Sequence, residues 1–314
     1  MKYAQETIVM SDSNKNVLHS WLPDTEPKAV IVLSHGMVEH AARYEPFAAE
    51  CCKRGIALYA EDHRGHGKTA ELASQDKSGM FGFLAEKKGF ERVADDIHEE
   101  ILLAKKRWPS KKVFLFGHSF GSFVSQCVIE KYGADLDGCI LCGTAGPRPL
   151  TIAFAKHLGR DMTMLFGKRH VAKLLDKIVF GSYNKRIKNP ATKSDWISRD
   201  AKTVAQYRAD PFCTFIPTTG FFRDLFEGLS LIHKKSNLKK IPQSLSVLFI
   251  EGTADPVGNY AKTVEKLFDI YTRKLKLTDA TAIYYGDARH ELLNEINGAN
   301  IMKDVLLWVE SRIQ

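Results

Sequence analysis

The 314-residue chain has no apolar run of membrane-spanning length, and residues 1–13 are polar and alternating, unlike an export signal. Cysteine is scarce. The six thiols (Cys51, Cys52, Cys127, Cys139, Cys142 and Cys213) sit mostly inside apolar runs, with no pair beside histidines at zinc-like spacing. The lone Cys139-x-x-Cys142 falls in residues 138–143, which read as a buried strand, so these are expected to be core thiols rather than a redox or metal pair. Internal repeats and low-complexity tracts are absent too, which excludes solenoid and linker-like chains. Together these absences point to a reduced, cytoplasmic protein. Acidic residues fall short of basic ones, 37 against 45, for a net charge of +8. At 44% hydrophobic and 26% charged, the composition is that of a soluble globular chain able to bury a large core.

What is present is an alternation. Residues 3–10 and 17–21 read as two strands joined by the polar turn 11–14. Ala29-Val30-Ile31-Val32-Leu33 is a continuous apolar run, as in a parallel strand buried on both faces. Tyr44, Phe47, Ala48 and Cys51 follow at helical spacing, closed by Gly55. Strands are expected at 56–60, 113–116, 139–142, 246–250 and 281–285. Helices are expected from the Phe90, Val93, Ile97, Ile101, Ala104 stripe, at 120–131, around 260–271 and from about 294 to 313. Repeated βα units predict an α/β fold with a mostly parallel, doubly wound sheet and helices on both faces. Between 147 and 240 no buried strand is visible, so that segment is expected to be an insertion.

The strand at 113–116 runs into Gly117-His118-Ser119-Phe120-Gly121, after which a helix starts. This is a G-x-S-x-G nucleophile elbow, in which glycines permit a strained strand-to-helix turn that exposes the serine. The bare pattern would occur by chance in about one chain in ten of this length, so its placement between strand and helix carries the assignment. A serine needs a base, and the base an orienting acid. His290, at the carboxyl end of the last strand, is the only histidine after residue 233. Asp255 lies at the end of the preceding strand; Asp287 is too close to His290 in sequence, and Glu251 precedes the Gly252 turn. The expected oxyanion donors are the backbone amides of Phe120 and of Met37, in the loop after the third strand.

Residues 62–69, Asp-His-Arg-Gly-His-Gly-Lys-Thr, imitate two nucleotide motifs. A P-loop would need glycine where Asp62 stands, and the dinucleotide fingerprint would need an acidic residue on a second strand about twenty residues on. A tight loop with Asp62 and Arg64 bonding locally is expected instead. His40, His63, His66, His118, Asp62 and Glu39 lack metal-ligand spacing, so neither metal nor cofactor is expected.

With these residues in view, the chain resembles the α/β-hydrolase superfamily, and more closely its lysophospholipase and monoacylglycerol lipase branch, grouped with serine aminopeptidase-like hydrolases. The matching stretches are Ser34-His35-Gly36-Met37-Val38-Glu39-His40 with Arg43-Tyr44, Asp62-His63-Arg64-Gly65-His66-Gly67, the elbow, Gly252-Thr253-Ala254-Asp255-Pro256-Val257 and Ala288-Arg289-His290-Glu291-Leu292. The resemblance implies about eight strands, with a helical cap over an apolar acyl pocket after the sixth. That gives a discontinuous core at 1–146 and 241–314 and a cap at 147–240. It also implies Ser119, Asp255 and His290 as the triad, with Met37 and Phe120 as oxyanion donors. Many relatives carry Gly-His-Ser-Met-Gly-Gly at the elbow; Phe120 and Ser122 here imply a narrower or differently shaped pocket behind the nucleophile.

Residues 147–240 hold 19 Lys and Arg against 7 Asp and Glu, a net of +12, leaving −4 for the rest of the chain. Basic residues there alternate with Met162, Met164, Leu165, Phe166, Leu174, Leu175, Ile178, Val179 and Phe180. Such a surface suits peripheral contact with an anionic membrane, or is a solvated face over ordinary packing. The expected function is hydrolysis of carboxylic esters of single-chain lipids, lysophospholipid or monoacylglycerol. The alternatives are an aminopeptidase or amidase of the proline iminopeptidase kind, which the basic cap disfavours, and a non-catalytic binding protein of the same fold, which the complete set of three residues disfavours. Nucleic acid is not an expected partner, since no recognition motif accompanies the charge.

Overall fold

In the computed structural model, which describes residues 1–313, eight strands form one sheet in the order β1-β2-β4-β3-β5-β6-β7-β8. The strands are β1 (Lys2–Val9), β2 (Lys15–Leu22), β3 (Ala29–Ser34), β4 (Ile56–Asp62), β5 (Lys112–His118), β6 (Gly138–Cys142), β7 (Ser246–Gly252) and β8 (Ala280–Tyr285). β1 pairs antiparallel with β2 and β2 with β4; every other pairing is parallel. Helices α1 (Glu45–Lys53), α2 (Gly67–Gln75), α3 (Gly89–Arg107) and α4 (Phe120–Tyr132) connect the first six strands. Between β6 and β7 come α5 (Pro149–Phe166), α6 (Lys173–Phe180), α7 (Ala201–Ala209), α8 (Thr219–Leu231) and the single turn α9 (Lys235–Leu238); α10 (Lys262–Asp269) and α11 (Gly298–Glu310) complete the chain.

Side-chain alternation divides the core into two layers. Val30, Val32, Val113, Leu115, Val247 and Phe249 face α3, α4, α8 and α10, whereas Ile31, Leu33, Phe114, Phe116, Leu248 and Ile250 face α1 and α11. Burial on both faces explains why β3 to β7 are near-continuous apolar runs. Because β3 through β8 run parallel, their carboxyl ends share one edge, and the loops leaving that edge meet there.

Three local expectations are corrected. Residues 62–69 are not all loop, since Gly67 begins α2 and the Asp62 carboxylate accepts from the Lys68 amide at 2.7 Å. Arg64 does not bond locally: it reaches Asp96 on α3 and Asp12 in the β1–β2 turn. The last helix starts at Gly298 rather than near 294, because buried Leu292 and Leu293 are held in a separate turn over the layer facing α11.

Candidate active site

Ser119 sits between β5 and α4 with φ 53° and ψ −120°, a strained conformation for a residue with a side chain. The sequence pattern placed the strain in the glycines; the structure places it in the serine. The glycines serve close approach instead. A Cβ on Gly121 would lie 1.9 Å from Ser34 O, and one on Gly117 would lie 2.2 Å from Ser125 Oγ. Both glycines let α4 press onto the ends of β3 and β5. The Ser119 amide bonds Cys142 O at 3.0 Å, locking the elbow to β6, while its side chain stays partly accessible among buried neighbours.

Asp255 and His290 are brought together from the ends of β7 and β8. His290 Nδ1 lies 2.7 Å from Asp255 Oδ2, and Asp255 Oδ1 accepts from the Val257 amide at 2.8 Å. Both side chains are buried. Burial pushes the His290 imidazole toward neutrality, but the adjacent Asp255 carboxylate outweighs it and holds the ring's pKa above its ordinary value. His290 Nε2 is buried and has no hydrogen-bond partner among the described residues. Among the described residues Ser119 Oγ also has no hydrogen-bond partner. The two groups flank the same backbone. Gly143, next to the Cys142 carbonyl that holds Ser119, packs on the His290 ring, and His118, next to Ser119, lies 4.8 Å from that ring. Burial, with the nearby His290, pushes His118 down to about 4, so it is neutral. Asp287, by contrast, is exposed on the turn after β8.

The loop after β3 presses on Ser119 from the other side: a Cβ on Gly36 would lie 3.2 Å from Ser119 Cβ. Among the described residues neither the Met37 amide nor the Phe120 amide donates to a protein acceptor; Phe120 is the first residue of α4, whose leading amides have no partner within the helix. Glu39 shapes this loop by accepting from the Gly36 amide at 2.5 Å, Tyr44 Oη at 2.8 Å and Arg43 at 2.7 Å. Arg43 in turn forks onto Glu291 at 2.9 and 2.7 Å, beside His290. Sequence reasoning missed this clasp. The spacing of Glu39 and Arg43 was visible, but Glu291 is 248 residues from Arg43.

The helical segment between β6 and β7 roofs the site. Trp196 lies 5.0 Å from the His290 ring, and its carbonyl and that of Ile197 accept from the His290 and Glu291 amides. Tyr207 Oη donates to Val38 O at 3.1 Å, and His40 bonds Asp210 at 2.8 Å. Phe120 turns its ring into the layer under α8, against Phe90, Phe221, His63 and His66, and Ser122 bonds back to Ser119 O.

Of the histidines weighed for a metal, burial holds His63 and His66 neutral, and both pack against His35, which is not among those weighed from the sequence. Among the described residues the nearest approach to a ligand set is His40, Asp210 and Cys213, with ligand atoms within 4.8 Å of one another. There the first two already satisfy each other, and Asp210 also caps the Phe212 amide. All six cysteines are buried free thiols, and no helix of the described residues is long and apolar enough to cross a membrane.

A family model described as serine aminopeptidase, S33, matches residues 25–297. The monoacylglycerol lipase of Mycolicibacterium smegmatis is 26% identical over 304 residues, covering 93% of this chain and 92% of its own. The monoglyceride lipase of Rattus norvegicus is 24% identical over 312 residues, covering 98% and 90%. Among solved structures, a thermostable carboxyl esterase from Bacillus coagulans in complex with glycerol superposes with a TM-score of 0.89 at 25% identity over 100% of both chains.

Proposed function

Since the chain belongs to the serine aminopeptidase S33 family of α/β-hydrolases and is a carboxylic ester hydrolase, we propose that it cleaves esters of single-chain lipids through an acyl-enzyme on Ser119. One observation carries this reading: a buried Asp255–His290 pair leaves Nε2 without a partner among the described residues, and the ring packed against that imidazole is His118, the residue before a serine held at positive φ. Ser119 Oγ attacks the ester carbonyl as His290 Nε2 takes its proton. Asp255 fixes the tautomer that leaves Nε2 basic and stabilises the imidazolium that forms. The Met37 and Phe120 amides receive the oxyanion, and because neither has another acceptor among the described residues they are preorganised for it. His290 then gives its proton to the departing alcohol, and water attacks the acyl-enzyme by the same route.

Residues 147–240 act as a cap over the site, a reading supported by Trp196 against the His290 ring, Tyr207 on Val38 O and Asp210 on His40. Its outer face supports peripheral membrane contact. Among the described residues, eight of the 15 exposed large hydrophobic side chains fall between Leu150 and Ile178, interleaved with exposed Arg160, Arg169, Lys173 and Lys177. Single-chain lipids partition at such an interface. Six unpaired thiols suit a reducing, cytoplasmic setting. A panel of monoacylglycerols, lysophospholipids and p-nitrophenyl esters, with products read by mass spectrometry, tests the reading. Fatty acid release from at least one lipid class is expected, and no turnover of any ester would overturn it.

A further inference from the structure

Two carboxyl groups are sealed from solvent behind His290. Glu251 lies on β7 one residue before its end, is wholly buried, and has no hydrogen-bond partner of ordinary geometry on either oxygen. The loop after Asp255 wraps directly over it, so that a Cβ on Gly258 would lie 2.1 Å from Glu251 Oε1. Asp255 is equally sealed, and its carboxylate faces Glu251.

Two carboxylate anions facing each other away from solvent repel strongly, so one of them holds a proton. The donors decide which. Asp255 receives the His290 ring N–H at 2.7 Å on one oxygen and the Val257 amide at 2.8 Å on the other, so each of its oxygens already has a donor. Glu251 is faced by Asp255, by the Thr144 amide in looser geometry and by Arg148, whose Nη2 is committed to Val257 O at 2.8 Å. From the flanking strands the Cys142 thiol and the Tyr284 phenol, both neutral, also face it. Burial, with the Asp255 charge added, pushes Glu251 well above the usual carboxyl range.

We propose that Glu251 is a positioning residue of the hydrolytic site: as a neutral carboxylic acid it donates its O–H to Asp255, fixing that carboxylate against His290 and drawing charge away from it. This rests on the triad reading given above. The hydrogen bond tempers the negative charge that Asp255 presents, so the His290 base sheds its proton at a lower pH than an untempered pair would allow. The signal was present in the sequence as a lone acid in the run Val247-Leu248-Phe249-Ile250-Glu251. It was passed over because Glu251 is a poor candidate for the triad acid itself.

The test compares wild type, Glu251→Leu and Glu251→Gln by the pH profile of kcat/KM on a soluble p-nitrophenyl ester. Leucine removes the donor and is expected to move the acidic limb upward by about one pH unit. Glutamine, whose amide still donates, is expected to keep the wild-type limb. A leucine profile that coincides with wild type, or a glutamine profile displaced as far as leucine, overturns the proposal. Infrared difference spectra of wild type against Glu251→Gln at about pH 8 decide the matter even if the leucine variant does not fold. Loss of a protonated-carboxyl band supports it, and loss of a carboxylate band overturns it. If wild type neither turns over esters nor reacts with a fluorophosphonate, the hydrolase reading fails separately, whatever the infrared result.

Discussion

Replacing Arg43 with methionine tests whether the clasp around the β3 loop holds the site together. The Arg43 side chain is 12% exposed and lies between Glu39 and Glu291, at 4% and 6%. Methionine keeps much of the stem but leaves both carboxylates buried without their cation. Breaking one buried pair costs about 3–5 kcal/mol, which at this chain length is a Tm loss of about 5–8 °C. The pH dependence carries the sign. Burial would raise Glu291, but Arg43 outweighs it and holds the group below the ordinary carboxylate range. In wild type the resulting stability is present above the unfolded carboxyl value and is lost as pH falls through the lowered folded one. Without Arg43 the same burial raises Glu291, so the variant's deficit is greatest near neutrality and shrinks as the medium becomes acidic enough to protonate it. Glu39 also holds the Gly36 amide, so kcat on a soluble ester should fall along with Tm. Differential scanning calorimetry of both proteins at about pH 7.5 and about pH 5.5 reads this directly. A Tm loss under about 1 °C, as for an exposed pair, or a deficit that does not change with pH, would refute the reasoning.

Other outcomes follow from the same geometry. Gly121→Ala puts a methyl 1.9 Å from Ser34 O in a seam of two backbones, and should abolish activity and lower Tm more than Arg43→Met; calorimetry with wild-type-like values would contradict it. Because Asp255 raises His290, the acidic limb of kcat/KM should lie above the ordinary imidazole value of 6.5, with activity rising as pH rises through it; a limb below that value contradicts the pairing. Changing exposed Phe154 and Met164 together to glutamate should cut sedimentation with anionic vesicles about tenfold or more while sparing turnover of a soluble ester. Unchanged vesicle binding would assign that face to solvent.

The parts of this fold legible in the sequence are those governed by local periodicity. Strands β3 to β7 announce themselves as apolar runs because both sheet faces are covered, and Ser119, Asp255 and His290 stand at strand ends where parallel topology gathers loops on one edge. Elements held by distant contacts were not legible. Helix α2 hides behind Gly67 because its start is set by an Asp62 carboxylate already bonded to Ala41 and near His19. The glycines of the elbow were recognised for the wrong physical reason, since only the packed structure shows that Gly121 answers to the Ser34 carbonyl. Trp196 meets His290, and Arg43 meets Glu291, only across long stretches of chain. Charge segregation was legible by counting, but not which apolar side chains face outward: Leu175 is buried, while its neighbour Leu174 is half exposed.

The central claim is that Ser119 is the acylated nucleophile, and intact-protein mass spectrometry after fluorophosphonate treatment tests it most directly. Wild type should gain a single adduct on the peptide carrying Ser119, while Ser119→Ala, folded with an undiminished Tm, should gain none and turn over no ester. An adduct of equal yield on the alanine variant, or full ester turnover by it, would contradict the account.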